Sequence, residues 1–245
     1  VTNYVAMDVT ANALLAVGAS PLMAHALEEV GDIAAIAHAV AVNIGTLAPA
    51  WVEGMHRAAA RALSLGKPWV LDPVGVGATA YRTETARALT RHRPTVVRGN
   101  ASEILALAGA TAAGGGPTKG VDSTHASGEA RDVAAALARD LGCVVCVSGA
   151  IDYVTDGGRT LAVANGHPLM TRVTALGCTA TALVAACLAV TDDALEGTAH
   201  AMAIMGVCGE MAAGEAAGPG TFRVRFVDAL YSLTPEELDA RARID

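Results

Sequence analysis

Aromatic residues are nearly absent from this chain: they make up 3% of 245 residues, with two Phe and two Trp. A core without them must be filled by Ala, Val, Leu, Ile and Met, and the hydrophobic fraction is nonetheless 53%. Charge is scarce as well, at 17% of residues with a formal net charge of −7. The acidic balance and the lack of any Lys/Arg block exclude a broad nucleic-acid footprint. A charge-poor surface on so apolar a chain points to cover by other subunits. Cysteine is too sparse, and odd in number at five, for a disulfide framework, so a reduced compartment is expected. The C-x-x-C of Cys143 and Cys146, in "LGCVVCVSG", sits among strand formers. A redox pair should open a helix, so this one reads as buried strand. No apolar run reaches transmembrane length without polar interruption, and no signal-peptide pattern occurs. A cytoplasmic protein without membrane partners is expected. The glycine cluster "GGGP" at 114–117 lacks the G-K-[ST] of a P-loop and reads as a loop or lid. The opening has neither a methionine nor a leading strand, so an incomplete N-terminus is expected.

What is present is an alternation of helical and strand patterns. Val5 to Val17 has helical spacing and is stopped by Gly18. Residues 25–39 read as a second helix, "AVAVNIGTL" as a strand, and "APAWVEGMHRAAARALSLG" as a helix. "KPWVLDPVGVGA" and "RPTVVRGNASEILALAG" each begin as a strand, the second turning at Gly99-Asn100 into a helix near Ser102. Helices follow at 83–91 and 128–141. Residues 142–166 give a strand and a hairpin turned at Asp156-Gly157-Gly158. A helix begins near Gly177, and another runs from Leu195 to about Ala213. No repeat or linker breaks this pattern, so residues 1–245 are expected to form a single domain. The expected fold is α/β, with a central, mainly parallel sheet and helices on both faces.

In such folds a ligand binds beyond the carboxyl ends of the strands. The polar exceptions gather there: Asn43 and Thr46 after one strand, Asp72 after the next, then Arg98, Asn100 and Glu103, and finally Ser148 with Asp152. Asp72 follows four apolar residues, where a carboxylate is costly unless it is paired or holds a metal; it could also cap the turn at Pro73. Glu103 could be the third-position partner of a capping box begun by Asn100. Together the two carboxylates suit Mg²⁺, which usually takes one or two carboxylates plus water and phosphate oxygens. Arg98 could fork onto phosphate or pair with a neighbouring carboxylate. Cys178 follows Gly177 at a helix start, where free N–H groups favour an anion and would lower the thiol pKa. It could be a packing residue, a nucleophile with His167 as its base, or a neighbour of the attacking hydroxyl in a kinase.

These stretches resemble the hydroxyethylthiazole kinase family. The resemblance rests on "TNYVAMDVTANALLAVGASPLMA", "EEVGDIAAIAHAVAVNIGTL", "VLDPVGVGATAYRTETA", "VVRGNASEILALAG", "KGVDS", "NGHPLMTRVTALGCTATALVAA" and "GPGTF", in the family's order. It implies a ribokinase-like kinase domain that transfers the γ-phosphoryl group of ATP, with Mg²⁺, to the primary hydroxyl of 4-methyl-5-(2-hydroxyethyl)thiazole in thiamine biosynthesis or salvage. It also implies a homotrimer with intersubunit active sites. By motif, Met23, Ala175 and Asn3 lie on the substrate side, and Arg98 and Ser148 contact ATP. Asp72 and Glu103 handle the metal, and Cys178 with Gly177 marks the catalytic helix start. Two departures stand out. Ala175-Leu176-Gly177-Cys178 replaces the family's Gly-Ala-Gly-Cys, and Ser148 replaces its threonine. Alternatives are a kinase of another small alcohol, such as a hydroxymethylpyrimidine, and a binding protein without turnover.

Overall fold

A computed structural model of the chain describes residues 1–111 and 126–245. The glycine cluster at 114–117 and the "KGVDS" stretch lie outside the described residues. Among the described residues, six strands form one sheet in chain order: β1 (Val40–Asn43), β2 (Trp69–Asp72), β3 (Val96–Asn100), β4 (Val144–Ser148), β5 (Asp152–Thr155) and β6 (Thr160–Val163). The first four are mutually parallel, β5 pairs antiparallel with β4, and β6 pairs antiparallel with β5. The hairpin between β5 and β6 turns at Asp156-Gly157-Gly158, as its sequence predicts; Asp156 Oδ1 accepts from the amides of Gly158 and Arg159.

Side chains alternate between the two faces of each strand. Val42, Trp69, Leu71, Val97, Val145 and Val147 point into one apolar layer. That layer is closed by α2 (Val30–Ile36), α3 (Pro49–Ser64), α4 (Ala80–Thr90), α5 (Ala101–Thr111) and α6 (Ala126–Leu141). Val70, Val96, Val144, Cys146 and Val154 point into the other. That layer is closed by α1 (Met7–Ala16), α7 (Leu176–Leu188), α8 (Ala194–Glu215) and α9 (Pro219–Ser232), followed by the short α10 (Pro235–Arg241). Alanines fill the helix–sheet seams, including Ala58, Ala59 and Ala62 of α3 and Ala199, Ala201 and Ala203 of α8. Small residues bring backbones close: a Cβ at Gly206 would lie 2.4 Å from that of Asn165.

The C-x-x-C cysteines are buried, as the strand reading required, and their odd spacing sends Cys143 to one layer and Cys146 to the other. Burial pushes both thiols up to about 12. Three local expectations change. The second helix begins only at Val30, because His25 is held on α3, its ring 4.5 Å from that of Trp51 and its carbonyl against Gly54. Gly99 and Asn100 do not form a turn but stay in β3, paired with Val147 and Ser148 of β4. Asp152 opens the antiparallel β5 instead of closing a fourth parallel strand; because β5 starts where β4 stops, it reaches the same rim. Among the described residues, no helix is long and apolar enough to cross a membrane.

Candidate active site

Period-2 alternation builds the site. Asn43 shares a face with Ala41, Asp72 with Val70, Arg98 with Val96, and Ser148 with Cys146. That face is the one on which α7 packs, so Asn43, Asp72 and Ser148 at strand ends, with Arg98 two residues inside the end of β3, lie on the side of the sheet that α7 covers. Asn43 and Asp72 are directly paired in register.

A continuous hydrogen-bond chain joins these groups. Asn3 Nδ2 donates to Asn43 Oδ1 at 2.7 Å and to Cys178 Sγ at 3.3 Å. Asn3 is itself fixed, because its Oδ1 accepts from the amides of Val5 and Ala6, both at 3.0 Å. Asn43 Oδ1 also accepts from Gly45 N, and Asn43 Nδ2 donates to Asp72 Oδ2 at 2.6 Å. The same oxygen accepts from Thr181 Oγ1 at 2.9 Å. Thr181 lies three residues beyond Cys178, one turn along the same helix face. Asn43 and Thr181 therefore orient the carboxylate, a role that the motif reading did not assign. The i, i+3 spacing from Cys178 was the available signal for Thr181.

Arg98 spans the gap between strand and helix. Its Nη1 donates to Gly177 O at 2.9 Å and its Nη2 to Ser148 Oγ at 2.8 Å, while its buried Nε has no hydrogen-bond partner among the described residues. A Cβ on Gly177 would lie 3.0 Å from Nη1, so glycine at this position lets the guanidinium dock under the helix start. The amides of Leu176, Gly177 and Cys178 precede the bond from Thr179 N to Ala175 O. They belong to the first turn, whose N–H groups have no carbonyl within the helix. Ala175 caps this turn in the left-handed region, with φ 67° and ψ 0°. That conformation explains why glycine would suit the position.

Electrostatics separates the two carboxylates. Asp72 is 1% exposed. Its pKa is pushed up to about 7 from 3.8, chiefly by burial and further by Glu103; Arg98, Thr181 and Asn43 pull the other way. Glu103 forms the capping box anticipated above: Asn100 Oδ1 accepts from Glu103 N, and Glu103 Oε2 accepts from Asn100 N, both at 2.9 Å. Its other oxygen accepts from Gly75 N at 2.9 Å, which ties the turn after β2 to α5. Among the described residues no group of three or more His, Cys, Asp or Glu could hold a metal. The pair instead fits an ion held largely by water and phosphate oxygens: two mutually repelling carboxylates, one of them desolvated, gain from an added cation.

The thiol corrects an expectation. Burial, and then the charge of Asp72, raise the Cys178 pKa; they outweigh the lowering by Asn3, Asn43 and Arg98, and the thiol is not activated. The proposed base is occupied elsewhere: His167 is exposed, and its Nδ1 accepts from Leu169 N at the start of a 3-10 turn, Pro168–Arg172. Met23 is half-buried in the extended segment between α1 and α2, and none of the hydrogen bonds above reaches it. Asp152 joins the rim beside Arg98, with Oδ1 accepting from Gly149 N.

The mixed six-stranded sheet, with helices on both faces and polar strand ends facing a helix N-terminus, has the ribokinase-like α/β fold. Pyridoxal kinase from Staphylococcus aureus, solved with AMP-PCP and pyridoxal, shares that fold at a TM-score of 0.62 and 17% identity, covering 86% of this chain and 85% of that one. Residues 1–236 match the Hydroxyethylthiazole kinase family, and the chain belongs to it. A hydroxyethylthiazole kinase from Cereibacter sphaeroides is 55% identical over 100% of this chain and 92% of its own length. The solved hydroxyethylthiazole kinase protein from Pyrococcus horikoshii superposes at a TM-score of 0.91, with 43% identity over 100% of this chain and 91% of that one.

Proposed function

We propose that this protein transfers the γ-phosphoryl group of ATP to the primary hydroxyl of 4-methyl-5-(2-hydroxyethyl)thiazole, as a step of thiamine biosynthesis or salvage. The observation that carries the reading is the chain from Asp72 through Asn43 and Asn3 to Cys178, which ends under the free amides of α7 beside Arg98. Family membership supplies the substrate class.

The substrate hydroxyl is itself the nucleophile, so catalysis is positioning and charge neutralisation. Arg98, whose Nε has no partner among the described residues, and Ser148 face the phosphates of ATP. The amides around Gly177 and Cys178 receive the transferred group. Asp72 and Glu103 would hold Mg²⁺, which when bound neutralises phosphate charge. Asn3, Ala175 and Met23 line the substrate side. Cys178, a thiol that burial keeps protonated, acts as a spacer beside the hydroxyl and forms no covalent intermediate. Residues 1–245 act as one kinase domain, and the enzyme is a cytoplasmic homotrimer with shared sites; the charge-poor composition supports that assembly.

The test is incubation with ATP, Mg²⁺ and a panel of small alcohols, with mass spectrometry of the products and light scattering of the protein. A phosphorylated thiazole alcohol and a trimer mass are expected. Preference for a hydroxymethylpyrimidine, or thiazole binding without product, would overturn the assignment. A fully active monomer would refute the shared site.

A further inference from the structure

The loops that leave β1 and β2 carry the residues flanking Asn43 and Asp72, and one side chain ties them together. Arg82, on the first turns of α4, donates from Nη1 to Ile44 O at 2.9 Å and to Val74 O at 2.8 Å, and from Nη2 to Gly45 O at 2.8 Å. All three acceptors are backbone carbonyls on loops, and none of the ion pairs among the described residues includes Arg82. The guanidinium also lies against Gly75, where an added Cβ would be 3.3 Å from Arg82 Cδ. Gly75 has φ 73°, and its amide holds Glu103 Oε1.

We propose that Arg82 is a positioning residue for the phosphoryl-transfer site, a clamp that fixes the β1 and β2 exit loops so that Asp72 and Glu103 keep their spacing. This rests on the function proposed above. The geometry has three independent arms. Ile44 and Gly45 follow Asn43 directly, and Gly45 N donates to Asn43 Oδ1, so the clamp reaches Asp72 through Asn43. Val74 is two residues past Asp72 on the other loop. Gly75, packed on the guanidinium, passes the constraint to Glu103. A planar fork can serve carbonyls on two loops at once, whereas an ammonium is a single point of donation. The hydrogen bonds that the guanidinium makes among the described residues all go to loop carbonyls and none to Asn3, Met23 or Ala175, the residues assigned to substrate, so its loss should affect geometry more than binding. Misplacing a reacting group by about 1 Å is enough to cost about 100-fold in rate.

The variants are Arg82→Ala and Arg82→Lys, each compared with the wild-type chain. For Arg82→Ala the expected result is a fall in kcat of about 10- to 100-fold, as for residues that orient metal ligands, with KM for the thiazole alcohol within about threefold. Faster hydrogen exchange is expected at the amides of 44–46 and 74–77, and methylguanidinium added to the buffer should restore part of both. Arg82→Lys should keep the fold yet recover little of kcat. Unchanged kcat, or unchanged exchange at both loops, overturns the proposal. So does a loss that follows global unfolding in both variants without methylguanidinium rescue. Should the wild-type chain phosphorylate no thiazole alcohol, the function reading fails, while the exchange measurement still decides the clamp.

Discussion

Replacing Ala175 with glycine should stabilise this protein, although helix-lining positions usually prefer alanine. Ala175 is not inside α7 but caps it, with φ 67° and ψ 0°. An L-residue in the left-handed region carries about 1–2 kcal/mol of strain from its Cβ against the following carbonyl. Glycine removes that strain but makes the unfolded chain more flexible, which costs about 0.4–1 kcal/mol. The balance is a net gain of about 0.5–1 kcal/mol, or about 1–4 °C in Tm for a chain of this size. Urea unfolding and calorimetry of Ala175→Gly against the wild type measure it. Ala175→Val supplies the opposite sign, because a β-branched side chain at positive φ is worse than alanine. Turnover supplies a second reading. Removing the methyl frees space at the helix start, beside the amides assigned to the transferred phosphoryl group, so kcat should hold or rise. A Tm that falls in Ala175→Gly, or one that does not separate the glycine and valine variants, would refute the strain argument.

The remaining predictions concern protons and contacts. Asp72 has a carboxyl raised from 3.8 to about 7, so it favours the folded state most below pH 3.8 and loses that contribution as pH rises to about 7. Asp72→Asn should therefore flatten the pH dependence of urea stability over that window while lowering Mg²⁺-dependent turnover by about 100-fold or more; unchanged turnover would remove Asp72 from the site. Cys178→Ser places a hydroxyl where Asn3 Nδ2 donates and should keep kcat within about tenfold; complete loss, with a substrate adduct trapped on the wild-type thiol, would restore the nucleophile reading. His56 Nδ1 and His92 Nε2 lie 2.9 Å apart, and burial lowers both pKa values; Arg91 adds to the lowering at His56 and His56 to that at His92, while Glu53 opposes it at His56. The unfolded chain then takes up protons first, and stability should fall as pH drops below about 6.5. His92→Gln should lessen that fall in a Tm series from pH 8 to 5, and an unchanged slope would refute it.

Much of the site is legible without coordinates because strand periodicity is local. Short apolar runs that end in polar residues place Asn43, Asp72 and Arg98 on one rim, and the spacing of Asn100 and Glu103 forms a capping box wherever a helix follows; that the three side chains share a face is set by the register between strands. Cys143 and Cys146 read as buried strand for the same reason. What periodicity does not carry is which distant segments meet. Arg98 reaches Gly177 across 79 residues, Thr181 reaches Asp72 across 109, and Asn3 reaches Cys178 across 175. All three contacts exist only because α7 crosses the ends of the parallel strands. A helix start by itself lowers a thiol pKa, yet at Cys178 desolvation and the nearby Asp72 charge win, and both are properties of the folded interior. The clamp of Arg82 was likewise hidden, since its acceptors are backbone carbonyls that carry no residue signature. Residue type and spacing thus determined the strands, the helix caps and the row of polar strand ends. Tertiary packing decided the partners, the protonation and the strain at Ala175, because those depend on burial and on backbone geometry set by contacts far away in the chain.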